Sequence, residues 1–130
     1  MVSNYDAMKV LIAEDHPLLL QSVCWKVQKE GFEVQGVVDG QQAKDFFISY
    51  QPDIVITDFM MPFVTGPEFI HFIRHEQNSN VPIMVLSQMG LEEEKVRCFD
   101  LGADDYLTKP FLPGELIARL NRFKRMRLAV

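Results

Sequence analysis

The residues of this chain whose types could do chemistry are Glu14 and Asp15 in "VLIAEDHP", Asp58 in "DIVITDFMMP", Ser87 in "PIMVLS" and Lys109 in "DDYLTKPF". Each stands at or just past the end of a short apolar run. Three carboxylates held close together repel, which raises their pKa values or destabilises a fold unless a cation offsets the charge. A hard divalent ion is the natural compensation. Magnesium takes one or two carboxylates with waters and a phosphate oxygen in octahedral geometry, and Asp15 and Asp58 can supply these. The backbone carbonyl of Met60, two residues past Asp58, would complete the protein's share. Lys109 brings a compact positive charge to the other side, and the Ser87 hydroxyl a hydrogen-bond donor. This set suits phosphoryl transfer to Asp58. An ionised carboxylate is already a nucleophile, and the loose transition state needs mainly positioned countercharge on its equatorial oxygens.

The elements that must position these residues are legible as a repeat. Strand-length apolar runs occur at "KVLIA", "FEVQGVV", "DIVIT", "PIMVLS" and "DDYLT", each followed by a segment of helical periodicity. Ala43, Phe46, Phe47 and Tyr50 form one helical stripe, Leu20, Val23, Cys24 and Val27 another, and Leu116, Ile117, Leu120 and Phe123 a third. Pro17 suits a first helical turn, and Gly31 and Gly102 suit helix ends. Asp39 with Gln42, and Thr65 with Glu68, have the spacing of an N-cap with a return contact. Strands one, three and four are nearly uniformly apolar, the mark of a parallel sheet buried on both faces by helices. Right-handed crossovers put helices on both sides. The carboxyl ends of all strands then point one way, and ligands bind there, so the fold itself gathers the three acids, the hydroxyl and the ammonium.

At 130 residues the chain is expected to be one domain, residues 1–130, with no separate module. A net charge of −5 opposes an electrostatic grip on nucleic acid or an anionic membrane. The cations Arg119, Arg122, Lys124, Arg125 and Arg127 read as the favourable charge of a helix C-terminus, without direct nucleic-acid binding by this domain. Cys24 and Cys98 form no CxxC pattern and fit ordinary helix positions in a reducing cytoplasm. The opening "MVSNYDAMKVLIAEDHP" has only a short apolar run, so neither a signal peptide nor a membrane span is expected. His71 and His75, four apart on the third helix, have no acidic partner at matching spacing and read as a solvated face. "LEEEK", Leu91 to Lys95, places anions at a helix start.

Over roughly residues 8 to 125 the chain resembles the receiver domain of two-component response regulators. The resemblance rests on "EDHP", on "DIVITDFMMPFVTG" with Pro62 and Gly66, on "VLS" at Ser87, and on "GADDYLTKPF" with Tyr106 and the Lys109-Pro110 pair. It implies a flavodoxin-like (βα)5 three-layer sandwich with a five-stranded parallel sheet in the order 2-1-3-4-5. It further implies that Asp58 accepts phosphate from the phosphohistidine of a sensor histidine kinase or phosphotransfer protein. Asp15 would bind magnesium directly and Glu14 through water, with Met60 contributing its carbonyl and Ser87 and Lys109 holding the phosphoryl group. The Lys109-Pro110 peptide would be cis. Ser87 and Tyr106 resemble the family's switch pair, in which the hydroxyl moves toward the phosphate and the ring turns inward. Gln88 stands where the family usually has a small residue, which bears on phosphorylation and hydrolysis rates. Lys95, Asp105, Glu115 and Arg119 resemble the intersubunit salt-bridge positions of the winged-helix transcription-factor subfamily. That implies a homodimer through the fourth helix, fifth strand and fifth helix, although Asn121 and Met126 depart from the pattern. The reading is a phosphoacceptor and not an enzyme with an external substrate. Two alternatives stand beside it: a magnesium-dependent aspartyl-phosphate phosphohydrolase, which would carry a second aspartate where this chain has Met60, and a flavin- or nucleotide-binding module, which would need a glycine- or hydroxyl-rich loop where this chain has "AEDHP".

Overall fold

The apolar runs become the five strands of a computed structural model that describes residues 7–88 and 90–128. In chain order the elements are β1 (Lys9–Ala13), α1 (Pro17–Lys29), β2 (Glu33–Val37), α2 (Gly40–Tyr50), β3 (Ile54–Asp58), α3 (Gly66–His71), β4 (Ile83–Ser87), α4 (Glu92–Leu101), β5 (Asp105–Thr108) and α5 (Pro113–Leu128). All pairings are parallel, and the order is β2-β1-β3-β4-β5. The opening residues of "MVSNYDAMKVLIAEDHP", Met1 to Asp6, and the final Ala129 and Val130 lie outside the described residues. Among those described, no helix is long and apolar enough to cross a membrane.

Two cores flank the sheet. Val10, Ile12, Ile54, Ile56, Met84 and Leu86 face α1 and α5, where they meet Val23, Val27, Leu116, Leu120 and Phe123. Leu11, Val55, Ile83 and Val85 face the other layer, with Phe47, Phe69, Ile70, Ile73 and Cys98. Residues alternate between the two cores along β3, so Ile54, Val55 and Ile56 are all apolar, and the buried Thr57 before Asp58 turns its hydroxyl onto Asp58 O at 3.0 Å. Each such side chain contributes about 1.5–3 kcal/mol when fully buried. The third stripe is buried at all four positions, but Phe46 in α2 stays 37% exposed, because Ala43 and Phe47 already fill the contact with the sheet.

The helix ends follow local chemistry. Pro17 opens α1, and Gly31 and Gly102 take positive φ just beyond α1 and α4. The Thr65 and Glu68 side chains form a reciprocal capping box. Asp39 caps α2 by accepting from Gln42 N–H at 2.8 Å, but the Gln42 side chain returns to Val38 N–H instead of to Asp39. One departure from the expected helices is the end of α3, where the chain widens into a π-helical turn, Phe72–Glu76.

Candidate functional site

The first strand ends in the buried Ala13, and the loop after it turns sharply under control of its own acid. Glu14 N–H donates to Val37 O at 3.1 Å on the neighbouring strand. The Glu14 side chain, only 1% exposed, accepts from His16 N–H at 3.0 Å. His16 in turn caps α1, its Nδ1 accepting from Leu19 N–H. Asp15 is left exposed at the mouth.

Asp58 is itself the last residue of β3, paired in register with Leu86 of β4, so the sheet ladder and not a free loop holds it. It is 7% exposed. Its Oδ1 accepts from Phe59 N–H at 2.9 Å and from Lys109 Nζ at 3.3 Å, and Nζ also reaches Glu14 Oε1 at 2.7 Å. The Lys109 backbone is fixed by donation of its N–H to Ser87 O at 2.7 Å, and the Lys109-Pro110 peptide is cis, as expected. Thus β1, β3 and β5 each bring one charged group to the same point.

Ligand oxygens of Glu14, Asp15 and Asp58 all lie within 4.8 Å of one another. Burial pushes the Asp58 carboxyl up to about 7; the Glu14 charge adds to this and Lys109 opposes it. The donor set is hard oxygen with surplus negative charge, so this acidic cluster fits a hard divalent cation.

The loop after Asp58 is tightly packed. A Cβ on Gly66 would sit 2.4 Å from Asp58 O, so only glycine allows α3 to start this close. Pro62 O accepts both from Gly40 N–H of α2 at 3.1 Å and from Val64 N–H at 2.9 Å. The second bond closes a γ-turn around Phe63, which has φ +72° and is 82% exposed. A bulky side chain at positive φ is strained. The Met60 side chain points away from the core, 61% exposed, and Gln88 is exposed immediately after buried Ser87.

Behind the acids, the Tyr106 ring is buried against the α4 side of the sheet. Its hydroxyl approaches Glu94 Oε2 at 3.5 Å and also bonds the Ser87 side chain. Burial lifts its pKa above the ordinary tyrosine range. Lys95 Nζ lies 5.6 Å from the centre of the same ring. On the adjacent surface Asp105 accepts from Arg119 and, at 3.4 Å, from Arg122, while Arg119 also meets Glu115 at 2.9 Å.

The structure therefore brings Glu14, Asp15, Asp58 and Lys109 to one point. It sets Ser87 with Tyr106 beside them, and groups Lys95, Asp105, Glu115 and Arg119 on the α4-β5-α5 face. Two participants were not legible in the sequence. Glu94 reads as one of several helix-start anions, and its contact with Tyr106 depends on how α4 lies over β5. Phe63 carries no signal, since nothing in "MPFVTG" marks a phenylalanine for positive φ.

A family model described as the response regulator receiver domain matches residues 10–121. The phosphate regulon transcriptional regulatory protein PhoB of Escherichia coli is 35% identical over 120 residues, covering 92% of this chain and 52% of the relative. The alkaline phosphatase synthesis transcriptional regulatory protein SphR of Synechococcus elongatus is 37% identical over 128 residues, covering 92% and 49%. The chain spans about half the length of these curated relatives. Among solved structures, the receiver domain of the Francisella response regulator 1452 superposes with a TM-score of 0.86 at 35% identity, covering 92% of this chain and 98% of that one. The chemotaxis response regulator CheY4 of Vibrio cholerae superposes with a TM-score of 0.84 at 33% identity, covering 90% and 98%.

Proposed function

The chain belongs to the response regulator receiver family, and on that premise we propose that Asp58 is its phosphoacceptor, taking a phosphoryl group from the phosphohistidine of a sensor histidine kinase or phosphotransfer protein. The observation that carries this reading is the buried carboxylate at the end of β3 whose Oδ1 is held by Phe59 N–H and Lys109 Nζ. With Oδ1 so engaged, Oδ2 is assigned as the atom that bonds phosphorus while the phosphorus–nitrogen bond of the donor breaks. Lys109 shifts its charge from Glu14 toward an incoming phosphoryl oxygen, and the Ser87 hydroxyl donates to another.

Magnesium is the ion that the acidic cluster fits. Asp15, Asp58 and the Met60 carbonyl would hold it directly and Glu14 through water, and it would supply positive charge against the phosphoryl oxygens. The same residues support slow hydrolysis of the acyl phosphate, with no external substrate turned over. Neither a phosphohydrolase nor a nucleotide-binding module has comparable support: Met60 replaces the second acid of the former, and the "AEDHP" loop is acidic where the latter needs a phosphate cradle.

The Ser87 hydroxyl has one proton to give, so a phosphoryl group on Asp58 competes with Tyr106 for it. This competition is the proposed switch. To take an equilibrium from mostly inactive to mostly active, phosphorylation must favour the active state by about 5.5 kcal/mol. The face so controlled is α4-β5-α5, where Asp105 and Glu115 pair with Arg119 within one chain and Lys95 lies over the Tyr106 ring, and these charges would pair across the interface in a homodimer. Light scattering with a beryllofluoride phosphoryl mimic tests this, and a mass that stays monomeric overturns the dimer. A cytoplasmic location, where kinase phosphodonor domains act, belongs to the same reading.

Intact mass after incubation with magnesium and acetyl phosphate tests the central assignment. The wild type gains one phosphoryl group and Asp58→Asn gains none. An unmodified wild type, or an equal adduct on the variant, overturns it.

A further inference from the structure

The exposed surface around the end of α3 carries two imidazoles that phosphoacceptor chemistry does not use. His71 ends α3, and His75 lies one turn further, inside the π-helical turn Phe72–Glu76. Both are exposed, and their ring centres are 4.6 Å apart with planes inclined by 32°. Residues four apart on a helix share a face. Histidines paired at that spacing bind metals, because neutral imidazole nitrogens are good ligands for borderline transition ions.

The local backbone adds a second observation. Gln77 N–H donates to Phe72 O at 3.0 Å, which closes the wide turn that carries His75, and isolated π-helical turns are frequent at functional sites. Arg74, between the two histidines in sequence, does not oppose a cation. Its guanidinium is turned inward onto Gly102 O, Ser79 O and the Asp104 carboxylate, which neutralises it. Glu68 is occupied by the capping box, while Glu76 is exposed beside His75.

We infer that His71 and His75 form a second metal site, for a borderline divalent cation of the copper, nickel and zinc class, held by two imidazoles with water in the remaining positions. Magnesium is discriminated against, since it demands oxygen ligands. Copper(II) binds most tightly in the series. Among the described residues, Glu14, Asp15 and Asp58 form the group of three or more ligating side chains that converge. The histidine pair thus has two protein ligands where a closed structural site has four.

Copper(II) titration of the full chain in excess magnesium, followed by electron paramagnetic resonance, tests the proposal. One ion binds with nitrogen hyperfine structure from two imidazoles. His71→Gln and His75→Gln each weaken binding by about tenfold or more, because the second ligand acts at high effective concentration. Each variant also leaves a single-imidazole spectrum, while far-UV circular dichroism shows it folded. Asp58→Asn and His16→Gln leave the signal unchanged. The proposal is overturned if either histidine variant binds copper as the wild type does, or if the signal is lost in Asp58→Asn or His16→Gln, which would place the ion at the sheet's carboxyl edge.

Discussion

The two ends of the same parallel sheet treat charge in opposite ways. At the amino end Asp53 and Asp104 are each matched by donors. Asp53, just before β3, accepts from the Lys9 N–H that opens β1 at 2.9 Å and lies 3.7 Å from Arg127 of α5. Asp104, just before β5, accepts from the Ile83 N–H that opens β4 at 2.9 Å and from Arg74 at 3.1 Å. These carboxylates cap the first orphan donors of neighbouring strands, so they stabilise the sheet. At the carboxyl end Glu14 and Asp58 share one lysine with Asp15 beside them, and the adjoining loop holds Phe63 in a strained turn. Matched charge there would leave nothing for a phosphoryl group or cation to relieve.

This contrast predicts the sign of mutational effects at each end. The largest is Arg74→Ala, which strips three carbonyl and carboxylate groups of a charged donor, and is expected to cost about 3 kcal/mol in urea unfolding. A smaller loss would show that Asp104 finds water easily and that the amino end is less closely matched.

At the other end, removing a charge should stabilise. Asp58 titrates near 7 in the folded, metal-free chain against about 3.8 in the unfolded one, so the folded state binds more protons between those values. Stability in EDTA is therefore fully supported below pH 4 and falls as pH rises toward about 7. Asp58→Asn flattens that fall and raises the urea midpoint at neutral pH, and magnesium, binding the folded wild type, restores the loss. A wild-type profile in EDTA that rises over this interval would reverse the assignment.

Phe63→Gly removes the cost of positive φ and is expected to stabilise by about 1 kcal/mol, read from the thermal midpoint. Destabilisation instead would mean the ring packs usefully despite its exposure. The smallest effect is Arg127→Ala. Its half-exposed pair with Asp53 is expected to contribute about 0.5 kcal/mol or less, whereas Asp53→Ala also orphans Lys9 N–H and should cost more. Equal losses would remove the capping role.

Much of this was readable because it depends on neighbours in sequence. Alternation into two cores makes the middles of β1, β3 and β4 apolar on both faces, and Pro17 by its fixed φ, Thr65 with Glu68 by local hydrogen bonding and Gly102 by its positive φ mark helix ends. Phe46 misled, since periodicity shows which residues share a face and not how wide a contact the sheet can offer. The amino-end caps were also silent: Asp53 and Asp104 look like ordinary loop acids until strand pairing sets them beside Lys9 and Ile83.

By itself the sequence determined the βα repeat, the placement of Glu14, Asp15, Asp58, Ser87 and Lys109 at strand ends, and the family resemblance that supplies their roles. Tertiary structure decided what depends on distances between segments far apart in the chain. It put one lysine between Glu14 and Asp58 and turned the Tyr106 ring inward to Ser87 and Glu94. Local rules act over a few residues, whereas these contacts follow only from how strands register and helices lie across them.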